Sequence, residues 1–190
     1  MIVQENQKKS IEEGTSSDHS YPVHSSEPGN STPLRFPLFT LVALLIPLAD
    51  QVSKWVIVSS LSLHESIPVI PGFLWITRIH NSGIAFGFFP GLPRLFMAVT
   101  VLSMFVVLYF YLSIQPRTLL TTLGCAFILG GAAGNLVDRI HYGHVVDFIN
   151  FSFWPAFNLA DSAVSIGVAF LLASFLFEKK ELEEHASNLV

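Results

Sequence analysis

Two carboxylates, Asp147 and Asp161, stand 14 positions apart in a stretch otherwise suited to a bilayer, GGAAGNLVDRIHYGHVVDFINFSFWPAFNLADS, from Gly130 to Ser162. Acids beside membrane-spanning sequence are costly and are normally kept for function. Two that converge form an acid–base couple, because close carboxylates share a proton over a wide pH range. The charged member takes a proton from water. The neutral member hydrogen-bonds a scissile carbonyl and then helps the amine to leave. This chemistry requires no metal, no cofactor and no covalent intermediate.

Each acid also has a plainer reading. Asp161 opens an apolar segment, where the first-turn N–H groups of a helix favour an anion. Asp147, within Val145-Val146-Asp147-Phe148-Ile149, reads alternatively as a solvated loop acid. Their placement at the same end of the membrane segments favours the pair. Arg139 can grip a carbonyl or a carboxylate in two-pronged fashion, or can snorkel to the interface beside Asp138. Asp50 and Lys54 are four apart and share a helix face. Mutual neutralisation in lipid is their simpler role, and substrate contact is the other. Asn81, in Asn81-Ser82-Gly83-Ile84-Ala85-Phe86-Gly87, could hydrogen-bond an extended peptide or merely close a turn. His141, His144 and Asp147 spell H-x-x-H-x-x-D. Gly143 interrupts any helical face there and no fourth ligand is evident, so no metal site is expected, and the histidines read as interface residues.

The composition says what must position these groups. Only 13% of the 190 residues are charged, about half the share usual in soluble domains, so the chain reads as a membrane protein. The ten Lys and Arg are scattered, which leaves no basic stripe for nucleic acid. The single cysteine, Cys125, excludes an internal disulfide framework and sits in an apolar run as a small filler. Four runs suit the roughly 20 apolar residues a bilayer demands: about 36–60, 94–115, 118–138 and 158–177. The fold class expected is a membrane all-α four-helix transmembrane bundle with a small extracytoplasmic β-rich segment and a periplasmic loop. Gly130, Gly131 and Gly134 invite close helix packing.

Residues 1–33 read as a disordered polar cytoplasmic tail rather than a cleavable signal peptide. Residues 34–180 read as the four-span domain, and 181–190 as a cytoplasmic C-terminal tail. Lys8, Lys9, Arg35, Arg117, Lys179 and Lys180 mark the cytoplasmic side. Segments 64–92 and 139–157 then face outward, with strand-like sequence at Phe73–Ile79 and aromatic residues in the second segment.

Together these residues resemble the lipoprotein signal peptidase family (signal peptidase II), bacterial membrane aspartyl peptidases. The resemblance covers about Leu41 to Phe177. It rests on Asp50-Gln51-x-x-Lys54, Asn81-x-Gly83-x-Ala85-Phe86-Gly87, Gly130-Gly131-x-x-Gly134-Asn135-x-x-Asp138-Arg139, Val145-Val146-Asp147-Phe148 and Phe157-Asn158-x-Ala160-Asp161. It implies that Asp147 and Asp161 are the catalytic dyad. It also implies supporting or substrate-contacting roles for Asn81, Gly83, Asn135, Arg139 and Asn158, and structural roles for Asp50, Lys54 and Asp138. The implied substrates are diacylglyceryl-modified prolipoproteins, cut before the lipid-bearing cysteine in the bacterial inner membrane. The implied inhibitors are globomycin-type peptides, and the implied active site lies near the outer face. A monomer suffices for a two-acid site on one chain. The long polar tail and Ile84, at a position more often small, depart from the family pattern. A proton- or ion-coupled transporter using Asp50, Lys54, Asp138 and Asp147 is the alternative function, disfavoured by the lack of inverted repeats. A presenilin-like protease would carry GxGD, where this chain has Gly143-His-Val-Val.

Overall fold

The structure, a computed structural model, describes residues 34–83, 93–115 and 117–187. The expected tail over 1–33, the loop around Phe86 with Ile84, and the tight turn at Pro116 lie outside the described residues.

Four helices carry the apolar runs: α1 (Arg35–Ser60), α2 (Pro93–Ser113), α3 (Leu119–Tyr142) and α4 (Leu159–Ser187). All four are long and apolar enough to cross a membrane. In α3's most apolar window 56% of residues are buried, against 6% in α2, so α3 is the hub and the others turn apolar flanks outward. Those flanks, among them Leu44, Leu48, Leu102, Phe105 and Leu176, are stable only against hydrocarbon.

The helix ends follow local chemistry. Thr118 caps α3, its side chain accepting from the Thr121 N–H, and Gly143 closes it in the left-handed region at φ 72°, where a side chain is strained. Arg78 Nη1 donates to the Val58 and Leu61 carbonyls at the end of α1. Two helices exceed their expected spans. α3 runs one turn further to Tyr142, and α4 continues to Ser187, well past the predicted span end and through most of the segment read as a tail. Glu and Lys favour helix as much as Leu does, so a polar change in composition there does not end the helix.

Small residues set the closest approach, that of α3 to α4. A Cβ on Gly167 would meet the Gly124 carbonyl oxygen at 2.7 Å, and one on Gly131 would press into the Ala160 carbonyl. At the end of the bundle away from the strands, Phe39 and Tyr111 stack at 4.0 Å, and the Tyr111 hydroxyl donates to the Arg35 carbonyl at 3.3 Å.

A four-stranded antiparallel sheet joins the opposite helix ends: β1 (Ser66–Ile70), β2 (Leu74–Asn81), β3 (Val145–Phe151) and β4 (Trp154–Phe157), in the order β1-β2-β3-β4. The expected strand over Phe73–Ile79 is β2. The second segment, expected as a loop, instead supplies β3 and β4. Val145-Val146-Asp147-Phe148-Ile149-Asn150-Phe151 is rich in β-branched and aromatic residues, and pairing with β2 satisfies its backbone. The register sets Ile79 opposite Asp147 and Asn81 opposite Val145.

Bundle and sheet are joined by a buried ionic cluster. Lys54 Nζ lies 2.7 Å from Asp50 Oδ2 and 2.9 Å from Asp138 Oδ2, and donates to Asn135 Oδ1 at 3.0 Å. Gln51 Nε2 donates to Asp138 Oδ1 at 2.8 Å and to the Gly134 carbonyl at 3.1 Å. Backbone N–H groups complete the set, Ala160 to Asp50 at 2.9 Å and Val146 to Asp138 at 3.1 Å. The expected Asp50–Lys54 pair is therefore two members of a three-member cluster. Asp138 faces Lys54 rather than Arg139. Gly134 matters here too, since a Cβ there would meet Asp50 Oδ2 at 2.6 Å.

Two outcomes follow from this packing. Gly131→Val should lower stability by about 1–3 kcal/mol through overpacking, read as a reduced thermal midpoint in detergent. Lys54→Met should cost more, about 3–5 kcal/mol, because it leaves two carboxylates buried without their cation. A Lys54→Met midpoint equal to wild type would contradict the cluster's role.

Candidate active site

Asn158, between β4 and α4, organises the site. Its Oδ1 accepts from the Asp161 N–H at 2.9 Å, and Asp161 Oδ2 accepts from the Asn158 N–H at 3.2 Å. This reciprocal pair is a capping box, which satisfies two of the N–H groups that a helix start leaves free. The Asn158 amide then reaches across to β3, where its Nδ2 donates to Asp147 Oδ1 at 2.7 Å. One side chain and its own backbone N–H thus touch both aspartates.

The remaining amides hold the acids in place. Asn135 Nδ2 donates to Asp161 Oδ1 at 2.8 Å. Its orientation is fixed from behind, because Asn135 Oδ1 receives the donors of Lys54 and Asn158 at 3.0 and 3.1 Å. Asn81 Nδ2 donates to Asp147 Oδ2 at 2.8 Å, while Asn81 Oδ1 accepts from the Gly83 N–H at 3.0 Å.

Asp147 and Asp161 line one cavity of about 610 Å³, with Asn81, Gly83, Asn135 and Arg139. Its other wall is largely apolar: Trp154, Pro155, Ala156, Phe157, Val164 and Ile166. Asp147 is only 2% exposed. Burial pushes its carboxyl up from the ordinary 3.8 to about 7, opposed by the Asn81 donor and reinforced by the charge of Asp161. Arg139 is half-buried at the cavity edge. The charges of Asp161, Asp147 and Asp138 act on its guanidinium, and among the described residues no hydrogen bond or ion pair holds it.

The structure therefore gathers the ten residues singled out from the sequence. Asp147, Asp161, Asn81, Gly83, Asn135 and Arg139 line the cavity; Asn158, Asp50, Lys54 and Asp138 stand behind it. The residues of H-x-x-H-x-x-D separate: His144 stacks on His80 at 3.8 Å, His141 Nδ1 lies 3.1 Å from the Val137 carbonyl, and Asp147 turns into the cavity. Among the described residues no group of three or more His, Cys, Asp or Glu is placed to hold a metal. Gln51 was missed as a contributor. Its signal was an amide beside Asp50 in an otherwise apolar helix, where an unpaired polar group is costly. The backbone donors of Val146 and Ala160 and the apolar wall carried no sequence signal of their own.

Comparison with known proteins places the chain in a family. The family model described as signal peptidase (SPase) II matches residues 42–177. A lipoprotein signal peptidase of Syntrophus aciditrophicus is 43% identical over 153 residues, covering 76% of this chain and 95% of that protein. One of Moorella thermoacetica is 43% identical over 143 residues, covering 75% and 95%. A bacterial membrane enzyme solved by the in meso method superposes with a TM-score of 0.72 at 32% identity, over 76% of this chain and 91% of that one. A second such structure gives 0.68 at 33% identity, over 74% and 93%. With its matched segment spanning α1 to α4 and both aspartates, the chain belongs to the signal peptidase II family.

Proposed function

We propose that the chain is an aspartic endopeptidase of the bacterial inner membrane. It removes signal peptides from prolipoproteins, cutting before the diacylglyceryl-modified cysteine. The observation that carries the reading is the Asn158 bridge, which presents Asp147 and Asp161 to the same cavity. In this reading the termini are cytoplasmic and the sheet lies at the outer face. The substrate's signal helix and lipid remain in the membrane while its unwound backbone enters the cavity. Globomycin-type peptides compete for that space.

The chemistry divides between the acids. Asp147, buried and carrying a proton near neutral pH, is the acid. Asp161, with N–H donors from Asn135 and Asn158 on its oxygens, is the base. Asp161 takes a proton from water as the water oxygen bonds to the scissile carbonyl carbon, and Asp147 gives its proton to the carbonyl oxygen. A gem-diol results. Asp147 then removes a hydroxyl proton from it, Asp161 delivers its proton to the nitrogen, and the C–N bond breaks. The dyad ends with the proton distribution it began with. Arg139 and Asn81 hold the substrate backbone, and the apolar wall keeps bulk water from the reacting atoms.

Cleavage of a synthetic diacylated lipobox peptide tests the dyad. Asp147→Asn and Asp161→Asn should each lose about 100-fold to 10,000-fold in rate while remaining folded, and EDTA should leave wild-type activity intact. Wild-type rates in either variant would refute the assignment.

The pH profile tests the division of roles. A proton on Asp147 is needed and is lost as pH rises through about 7, so activity should fall on that alkaline side. Asn81 donates to the ionised form and holds this carboxyl down. Asn81→Ala should therefore move the alkaline limb upward by about half to one pH unit, the worth of one hydrogen bond. A downward displacement would reverse the roles.

A further inference from the structure

On the sheet face opposite Asp147, His80 and His144 stack with ring centroids 3.8 Å apart and planes 27° from parallel. The register explains the meeting. His80 pairs with Val146 and Asn81 with Val145, so His144 stands just before the last rung of the β2–β3 ladder. The stacked rings thus join the strand ends that carry Asn81 on one side and Asp147 on the other. Asn81 follows His80 directly, and its Nδ2 holds Asp147 Oδ2 at 2.8 Å.

The surroundings disfavour charge on the His80 ring. Arg78 Nη2 lies 3.5 Å from His80 Nε2, and Arg78 is tethered by Nη1 to the Val58 and Leu61 carbonyls, so it cannot easily withdraw. His80 Nε2 then presents its lone pair to the guanidinium and carries its proton on Nδ1. From the α1–β1 connection His64 adds a further group of the same sign when protonated. From the end of α3, Tyr142 tilts against His144 at 6.0 Å and His141 against Tyr142 at 6.1 Å. Glu65, the carboxylate on that connection, is engaged with the Ser62 N–H at 2.7 Å. Burial first, then His144, Arg78 and His64, hold the His80 imidazole below its ordinary 6.5.

We propose that His80 and His144 are a positioning pair that keeps Asn81 on Asp147 only while both rings are uncharged, so that acid on this face of the sheet parts the strand ends and slows peptide cleavage. The pair never touches substrate; it acts through Asn81, which fixes the orientation of Asp147 and holds the substrate backbone, so that displacing it costs rate although it eases the Asp147 proton. The inference rests on Asp147 and Asn81 belonging to the active site. It adds an acid limb to the pH profile, distinct from the alkaline limb set by the Asp147 proton. A neutral pair stacks favourably. A doubly protonated pair facing a fixed guanidinium is three like charges in a partly buried site.

The test is the pH profile of the full-length protein in proteoliposomes, with the diacylated lipobox peptide as substrate. Wild type should lose activity below about pH 6, where imidazoles charge. His144→Phe keeps a ring for His80 to stack on and removes one charge, and should move that limb down by about one pH unit or more. His144→Lys imposes the charge permanently and should lose about tenfold at pH 7, the cost of roughly one misplaced hydrogen bond. An acid limb unmoved in His144→Phe, with Asp147→Asn inactive, would overturn the pairing role alone. An active Asp147→Asn would sink the reading beneath it. A measurement independent of the variants is the imidazole proton resonances of the wild-type protein: His80 should titrate below its ordinary 6.5. Titration of His80 at or above that value would overturn the proposal.

Discussion

The Lys54 ammonium inside the bundle is the constraint from which the site's geometry follows. A charge taken out of water must recover its solvation from neighbours or it will unfold the segment that carries it. Lys54 has three N–H donors, and all three are used, on Asp50, Asp138 and Asn135. The carboxylates then need donors of their own. They take them from Gln51 and from the backbone of Ala160 and Val146. Those partners sit on α1, α4 and β3, while Asp138 and Asn135 sit on α3. Satisfying one buried cation therefore brings four elements to one point, and it adds to the small-residue packing that sets the α3–α4 approach.

From that point two amides carry orientation outward to the acids. An asparagine amide has a donor end and an acceptor end, and fixing one fixes the other. Lys54 fixes the acceptor end of Asn135, so its donor end must meet Asp161. Asn135 in turn accepts from Asn158, whose amide also meets Asp147. Asp161 is at once the closing residue of a capping box and a cavity-lining acid, so the two readings of it do not compete. The cap holds the carboxylate rigid, which is what positioned chemistry requires.

How much of this was legible in the sequence depended on which rule applied to each residue. Asp147 and Asp161 stood out because acids in apolar sequence are costly wherever they point. The four spans stood out because hydrocarbon thickness demands a length. The Asp50–Lys54 contact followed from helix periodicity. The link from Lys54 to Asp138 did not, because periodicity gives neighbours within a helix and says nothing of partners 84 residues away. The strands β3 and β4 were read as a loop because short strands between helices show no period long enough to count. Their β-branched residues become informative only once β2 is available to pair with. Gln51 carried part of the family resemblance but drew no role of its own, being one amide beside a more conspicuous aspartate.

Burial, reinforced by Asp161, explains why the Asp147 carboxyl is pushed up to about 7. Ionising Asp147 would set a second charge beside Asp161, in a pocket walled largely by Trp154, Pro155 and Phe157 that solvates it poorly. Burial and the nearby Asp161 oppose that second charge, and the Asn81 and Asn158 donors favour it. The donors lose, and the carboxyl titrates near neutrality. The proton on Asp147 is thus not a local accident of one hydrogen bond. It is the balance of burial and the Asp161 charge against the amide donors of Asn81 and Asn158.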